Sequence, residues 1–121
     1  MTGSGRIAIV AGATGLVGAA LLARLCAGQD YARLVALTRR PPAAVDARLE
    51  CRQARFDALD EVLGDLRGAR PDMYCCLGTT IAKAGSQAAF RSVDFDAVVA
   101  LARWAKTAQA RRFLLVSAMG A

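Results

Sequence analysis

The sequence predicts an α/β protein: a doubly wound parallel sheet of about five strands with helices on both faces. Three observations predict it. Short apolar runs alternate along the chain with segments of helical period, the pattern of βαβ units feeding a parallel sheet. The first junction between such a run and a helix carries Gly12, Gly15 and Gly18. Hydrophobic residues make up 55% of the 121 residues and no low-complexity stretch interrupts them, so there is enough apolar surface to offset chain entropy and form one core. A single domain over residues 1–121 is expected, without linker or internal repeat.

The first element must be separated from a membrane segment. Behind Arg6 stand seventeen consecutive uncharged residues, Ile7 to Ala23. A transmembrane helix needs about 20 predominantly apolar residues, and this run is shorter and has a glycine-containing, turn-prone centre. A signal peptide would have its apolar core broken by Gly12 and Gly15, and cleavage would destroy the first βα unit. Read as folded structure, Arg6 to Ala11 is a buried strand and Gly12-Ala13-Thr14-Gly15 a turn. Leu16, Val17, Ala20, Leu21 and Leu25 form the apolar face of a helix that Gly28 stops.

Leu34 to Thr38 is the second strand, ended by Arg39-Arg40-Pro41-Pro42 because two prolines cannot continue a sheet interior. Leu49 to Phe56 is a weaker strand, followed by a short helix over Ala58 to Leu66 with Leu59, Val62, Leu63 and Leu66 on one side. After Pro71, the unbroken run Met73 to Leu77 suits a strand covered on both faces, ended by Gly78-Thr79-Thr80. Ser86 is placed to cap a helix whose stripe is Val98, Leu101, Ala102, Ala105 and Ala108. Phe113 to Ser117 completes the set as another buried strand.

The net charge of +6 suggests a negatively charged partner. Its distribution disfavours nucleic acid: the basic pairs Arg39-Arg40 and Arg111-Arg112 are short, and no basic run is interleaved with aromatics. All basic residues except Lys83 and Lys106 are arginine. Cys26, Cys51, Cys75 and Cys76 form no C-x-x-C and the chain has no histidine, so no metal site is expected. The four are read as reduced, mostly buried thiols of a cytoplasmic protein.

The glycine spacing G-x-x-G-x-x-G carries the chemistry. Gly12 allows a sharp turn off the strand. Gly15 leaves no Cβ where backbone approaches a pyrophosphate, which would sit on the unpaired N–H groups at the helix start. Gly18 lets the helix pack close to the strand. A phosphate-binding loop of the other common type would need Gly-Lys-Ser or Gly-Lys-Thr, and Gly18-Ala19-Ala20 is not that. An acid after the second strand would hold a ribose 2′-hydroxyl and favour NAD, whereas arginine would accept the 2′-phosphate of NADP. This chain has Arg39 and Arg40 there, so NADP is the expected cofactor, with NAD as the alternative.

With "IVAGATGLVG", "CCLGTT", "KAGSQAAFRSVDFD" and "FLLVSAMGA", the chain resembles atypical or extended short-chain dehydrogenases, and within them the bacterial relatives of the Tat-interacting-protein oxidoreductases. The resemblance implies a Rossmann-type NADP-binding fold in which Gly12, Thr14, Gly15, Leu16 and Val17 line the pyrophosphate and Arg39 and Arg40 meet the 2′-phosphate. Asp57 would face the adenine, or else cap the helix starting near Ala58. Leu77, Gly78 and Thr79 would approach the ribose and nicotinamide side, and Ser117 would be the catalytic serine that hydrogen-bonds the substrate.

One departure stands against these matches. Such enzymes carry Tyr-x-x-x-Lys after the strand ending in this serine, and here Tyr31 is followed four residues later by Val35 and Tyr74 by Gly78. The expected reading is therefore the cofactor-binding portion of a short-chain-type oxidoreductase, truncated on its C-terminal side. The rival is a non-catalytic NAD(P)H-sensing or interaction module. A sheet cut there would leave Phe113 to Val116 without a neighbour on one side, an edge open to self-association. The expected partners are a dinucleotide, an unspecified small-molecule substrate and a second copy, with neither nucleic acid nor membrane.

Overall fold

The computed structural model describes residues 5–13, 16–38, 46–76 and 96–115. They form β1 (Ile7–Ala11), α1 (Leu16–Ala27), β2 (Arg33–Thr38), β3 (Leu49–Gln53), α2 (Leu59–Leu63) running into a 3-10 segment (Gly64–Ala69), β4 (Asp72–Cys75), α3 (Ala97–Thr107) and β5 (Arg112–Leu115). The strands make one sheet in the order β3-β2-β1-β4-β5, and every pairing is parallel. The doubly wound α/β expectation holds.

The central strand explains the uncharged opening run. Every residue of β1 is buried, because helices cover both faces of the sheet. On one face Leu22 of α1 packs with Val10 and Ala36. On the other, Ile7, Ile9, Ala11, Val35 and Leu37 pack with Leu59 and Leu63 of α2 and with Leu101 and Trp104 of α3. Among the described residues, no helix is long and apolar enough to cross a membrane.

Several details depart from the sequence reading. The buried side of α1 is centred on Gly18 and Leu22, whereas Val17 and Ala20 are exposed, because the helix approaches the sheet along its glycine. On α3, Trp104 takes the core position and Ala102 faces out. The third strand stops at Gln53, three residues before Phe56, and has exposed positions because it is an edge. The helix expected over Ala58 to Leu66 is α-helical only to Leu63 and tightens into the 3-10 segment beyond it.

The strands placed in the interior by their apolarity also differ. In β4 Tyr74 is only half-buried. β5 is an edge strand with Leu114 44% and Leu115 53% exposed, not a buried one, since only β4 pairs with it among the described residues. The thiols are less buried than expected: Cys51 on edge strand β3 is exposed, and Cys26 and Cys76 are half-buried. Ser86, Leu77 and residues 116–117 of the expected elements lie outside the described residues.

Two polar clusters fasten the amino ends of the strands. Asp72, 2% exposed, receives Arg111 through Nε at 2.9 Å and Nη2 at 2.7 Å, and the Tyr31 hydroxyl at 2.7 Å. The Tyr31 and Tyr74 hydroxyls lie 2.6 Å apart. Burial, the Tyr74 contact and Asp72 together push the Tyr31 phenol far above its ordinary range, so it stays protonated and donates to the carboxylate. In the second cluster, Arg48 pairs with Asp46 at 2.9 Å and donates to the carbonyls of Cys26, Gly28 and Tyr31. One guanidinium thus satisfies backbone acceptors at and beyond the end of α1.

Candidate dinucleotide site

The candidate site begins where β1 ends. Gly12 takes φ +78°, a left-handed conformation that L side chains rarely adopt, so this turn requires glycine. Gly18 is the second fixed point. A Cβ placed on it would overlap the Gly12 carbonyl oxygen and stand 2.7 Å from the Gly12 carbonyl carbon. The helix therefore seats its first turn directly on the turn backbone, and the contact is between α1 and the turn at the strand end.

This seating presents the start of α1 at the carboxyl end of the central strand. The first turn of α1 contains no acidic residue, leaving the positive end of the helix dipole unopposed by its own side chains. Val17, in that turn, is 51% exposed. The chain order reverses between β1 and β4, so the crevice beyond their carboxyl ends is the topological switch point at which open α/β sheets bind ligands.

Register aligns the carboxyl ends of the neighbouring strands. Ala11 is level with Leu37 of β2 and with Cys75 of β4, and Cys75 with Leu115 of β5. The Cys76 N–H extends the ladder to the Ala11 carbonyl at 2.9 Å, and the Ala54 N–H donates to Thr38 at 3.1 Å. Of the expected site residues, Gly12 and Val17 lie at the turn, Leu16 opens α1, and Asp57 is exposed in the turn after β3. Thr14, Gly15, Arg39, Arg40, Leu77, Gly78, Thr79 and Ser117 lie outside the described residues.

One alternative is narrowed by the geometry. The cap position of α2 is Ala58 and no side-chain bond closes it, so Asp57 is not the helix cap. The Cys76 thiol is pushed up by burial and by neighbouring Cys75, which keeps it protonated and a poor nucleophile at neutral pH. Sequence reading passed over Arg6, Arg70 and Arg111, which line one cavity at the opposite, amino end of the sheet. The available signal was an arginine at the head of each strand.

A family model described as NAD(P)H-binding matches residues 12–121. Among curated relatives, the mitochondrial protein FMP52 of Coccidioides immitis is 35% identical over 93% of this chain and 50% of its own length. The FMP52 of Eremothecium gossypii is 36% identical over 94% and 50%. The chain spans about half the length of the curated relatives it matches. Among solved structures, the oxidoreductase ylbE of Lactococcus lactis superposes with a TM-score of 0.70 at 27% identity, over 94% of this chain and 48% of that one. Uronate dehydrogenase of Agrobacterium tumefaciens, in a variant complexed with NAD, gives a TM-score of 0.72 over 93% of this chain and 41% of that one. At 18% identity this last likeness shows the fold alone.

The relatives correct one expectation. Reduced cysteines suggested a cytoplasmic protein, but the curated relatives are named as mitochondrial, so that placement is withdrawn. Free thiols report reducing surroundings and do not distinguish one reducing compartment from another. With the fold, the glycine turn and the match over residues 12–121 agreeing, the chain belongs to the NAD(P)H-binding family, as a nicotinamide-dinucleotide-binding domain similar to oxidoreductases.

Proposed function

We propose that this chain binds NADP(H) as the cofactor-binding domain of a short-chain-type oxidoreductase. The observation that carries the reading is the seating of Gly18 on the Gly12 turn, which leaves no room for a Cβ and holds a helix start free of acidic side chains at the switch point. A pyrophosphate fits such a place because backbone N–H groups and the helix dipole both favour negative charge. Gly12, Thr14, Gly15, Leu16 and Val17 would hold it, and Asp57 would face the adenine. Leu77, Gly78 and Thr79 would meet the ribose and nicotinamide side.

The preference for NADP rests on Arg39 and Arg40, which follow directly on Thr38 at the end of β2. Their planar guanidinium groups can grip a 2′-phosphate with paired hydrogen bonds. The nicotinamide ring supplies hydride exchange when bound. Ser117, two residues beyond Leu115 of β5, would orient the substrate by a hydrogen bond. No Tyr-x-x-x-Lys occurs in residues 1–121, so these residues account for binding and orientation and not for proton transfer.

A second reading, a dinucleotide-responsive interaction module acting through self-association, draws on the exposed Leu114 and Leu115 of edge strand β5, since an open apolar edge invites pairing. One titration addresses both. NADPH fluorescence should change on adding the protein, NADPH should bind at least about tenfold more tightly than NADH, and Arg39→Ala with Arg40→Ala should abolish that difference. Unchanged NADPH fluorescence would sink the cofactor reading, and equal affinities would sink the NADP preference. Light scattering in the same titration should show constant mass for a binding domain, whereas a mass that doubles with NADPH favours the module.

A further inference from the structure

We propose that the cavity at the amino end of the sheet, lined by Arg6, Arg70, Asp72 and Arg111, binds a small phosphate-bearing anion. It lies at the opposite end of the strands from the dinucleotide turn and does not rest on that reading. The cavity measures about 260 Å³ and is lined also by Gly5, Ile7 and Ala69. That is below the ~300 Å³ at which pockets for drug-sized molecules begin, so its ligand is small.

Positive charge is left over at this end of the sheet. Each of the five strands has an arginine within two residues of its start: Arg6, Arg33, Arg48, Arg70, and the pair Arg111-Arg112. Arg33 is taken by Glu50 at 3.0 Å, Arg48 by Asp46 and Arg111 by Asp72. Among the described residues, Arg6, Arg70 and Arg112 meet no carboxylate, and the first two line the same cavity. Its one acid, Asp72, is already paired with Arg111 through two hydrogen bonds and accepts a third from Tyr31, so a single negative charge faces three guanidinium groups.

The cavity wall therefore carries three guanidinium groups and one carboxylate, which is paired with Arg111. The two unopposed charges match a phosphate dianion, and guanidinium forks suit phosphate oxygens geometrically. The Asp72 clamp contributes by holding Arg111 in a fixed position at the wall. Inorganic phosphate and the phosphate of a small ester share this chemistry, and orthophosphate and glycerol phosphate serve as probes of the two sources.

The test is a titration of the isotopically labelled chain with each probe at constant ionic strength, read by amide and arginine side-chain NMR shifts. The expected result is saturable shifts at Gly5, Arg6, Arg70 and Arg111, with glycerol phosphate the tighter probe if the ligand is an ester and orthophosphate if it is the free ion. The double variant Arg6→Gln, Arg70→Gly should weaken the binding at least tenfold. Both side chains are exposed, and glycine adopts the φ of +51° at position 70 without strain, so the fold is kept. Arg103→Ala, on exposed α3 surface, should leave binding unchanged. The proposal is overturned by shifts confined to Gly12, Ala13 and Val17, by shifts that chloride reproduces, by binding that survives the double variant, or by equal loss in Arg103→Ala.

Discussion

Among the described residues, the turn at the carboxyl end of β1 uses almost no side chain, whereas at the amino end each strand is headed by an arginine. Gly12, Ala13 and Gly18 leave the backbone of this turn bare, and the start of α1 above it offers the positive end of a helix dipole with no acidic side chain in its first turn. At the amino end positive charge comes from guanidinium groups, some tied to Asp46, Glu50 and Asp72 and some left open. The difference teaches that one fold can build two electropositive places by unrelated means. A backbone site is fixed by steric tolerance and fails when an atom is added. A side-chain site is fixed by pairing and fails when a partner is removed.

The largest expected effect adds an atom at the bare end. Gly18→Ala would force its Cβ onto the Gly12 carbonyl, and neither the helix nor the strand-end backbone can yield locally. A loss of about 3 kcal/mol or more in denaturant unfolding is expected, together with loss of dinucleotide binding. A variant of wild-type stability that still binds NADPH would show that the turn is not held by this contact.

The next effect removes a partner at the other end, and its sign pattern is diagnostic. Arg111→Ala leaves Asp72, only 2% exposed, as a buried carboxylate with Tyr31 as its remaining side-chain donor, and should cost about 2 to 3 kcal/mol. Adding Asp72→Ala to it removes the stranded charge and should bring the cost down to about 1 kcal/mol. Additive costs in the double variant would mean that the carboxylate is solvated and the cluster is not buried as a unit.

The smallest effect is one of pH. The hydrogen bonds from Arg48 hold the Asp46 carboxyl down to about 2, against 3.8 for an unperturbed aspartate. A lowered pKa contributes stability that is present above about pH 4 and is lost as pH falls toward 2. Glu50 and Asp65 are lowered in the same sense by Arg52, so the comparison must be differential. Asp46→Asn should flatten the acid limb relative to wild type while leaving the neutral-pH slope unchanged. Identical limbs would mean that Arg48 is held by the carbonyls of Cys26, Gly28 and Tyr31 alone.

Much of the site's frame was legible in the sequence because its causes are local. Apolar runs such as Ile7 to Ala11 and Leu34 to Leu37 mark strands covered on both faces, and Gly12 marks the place where the chain must turn through positive φ. Gly18 was legible as a close-packing position, though its contact is with the turn. By contrast, the composition of Phe113 to Leu115 reads as a buried strand while the missing neighbour on one side reads as an open edge, and the exposure of Leu114 and Leu115 agrees with the edge. Apolarity says that a residue gains by burial and not whether a neighbour is there to bury it.

By itself, then, the sequence determined the alternation of strands and helices, the glycine turn, and the arginines that follow β2, all of them set by spacing and backbone sterics within a few residues. Only the tertiary structure decided which of the described arginines are spent on described carboxylates, since Arg111 meets Asp72 across 39 positions and Tyr31 meets it across 41. Charge pairing acts through space over a few ångströms, and only the folded sheet sets which distant residues come that close.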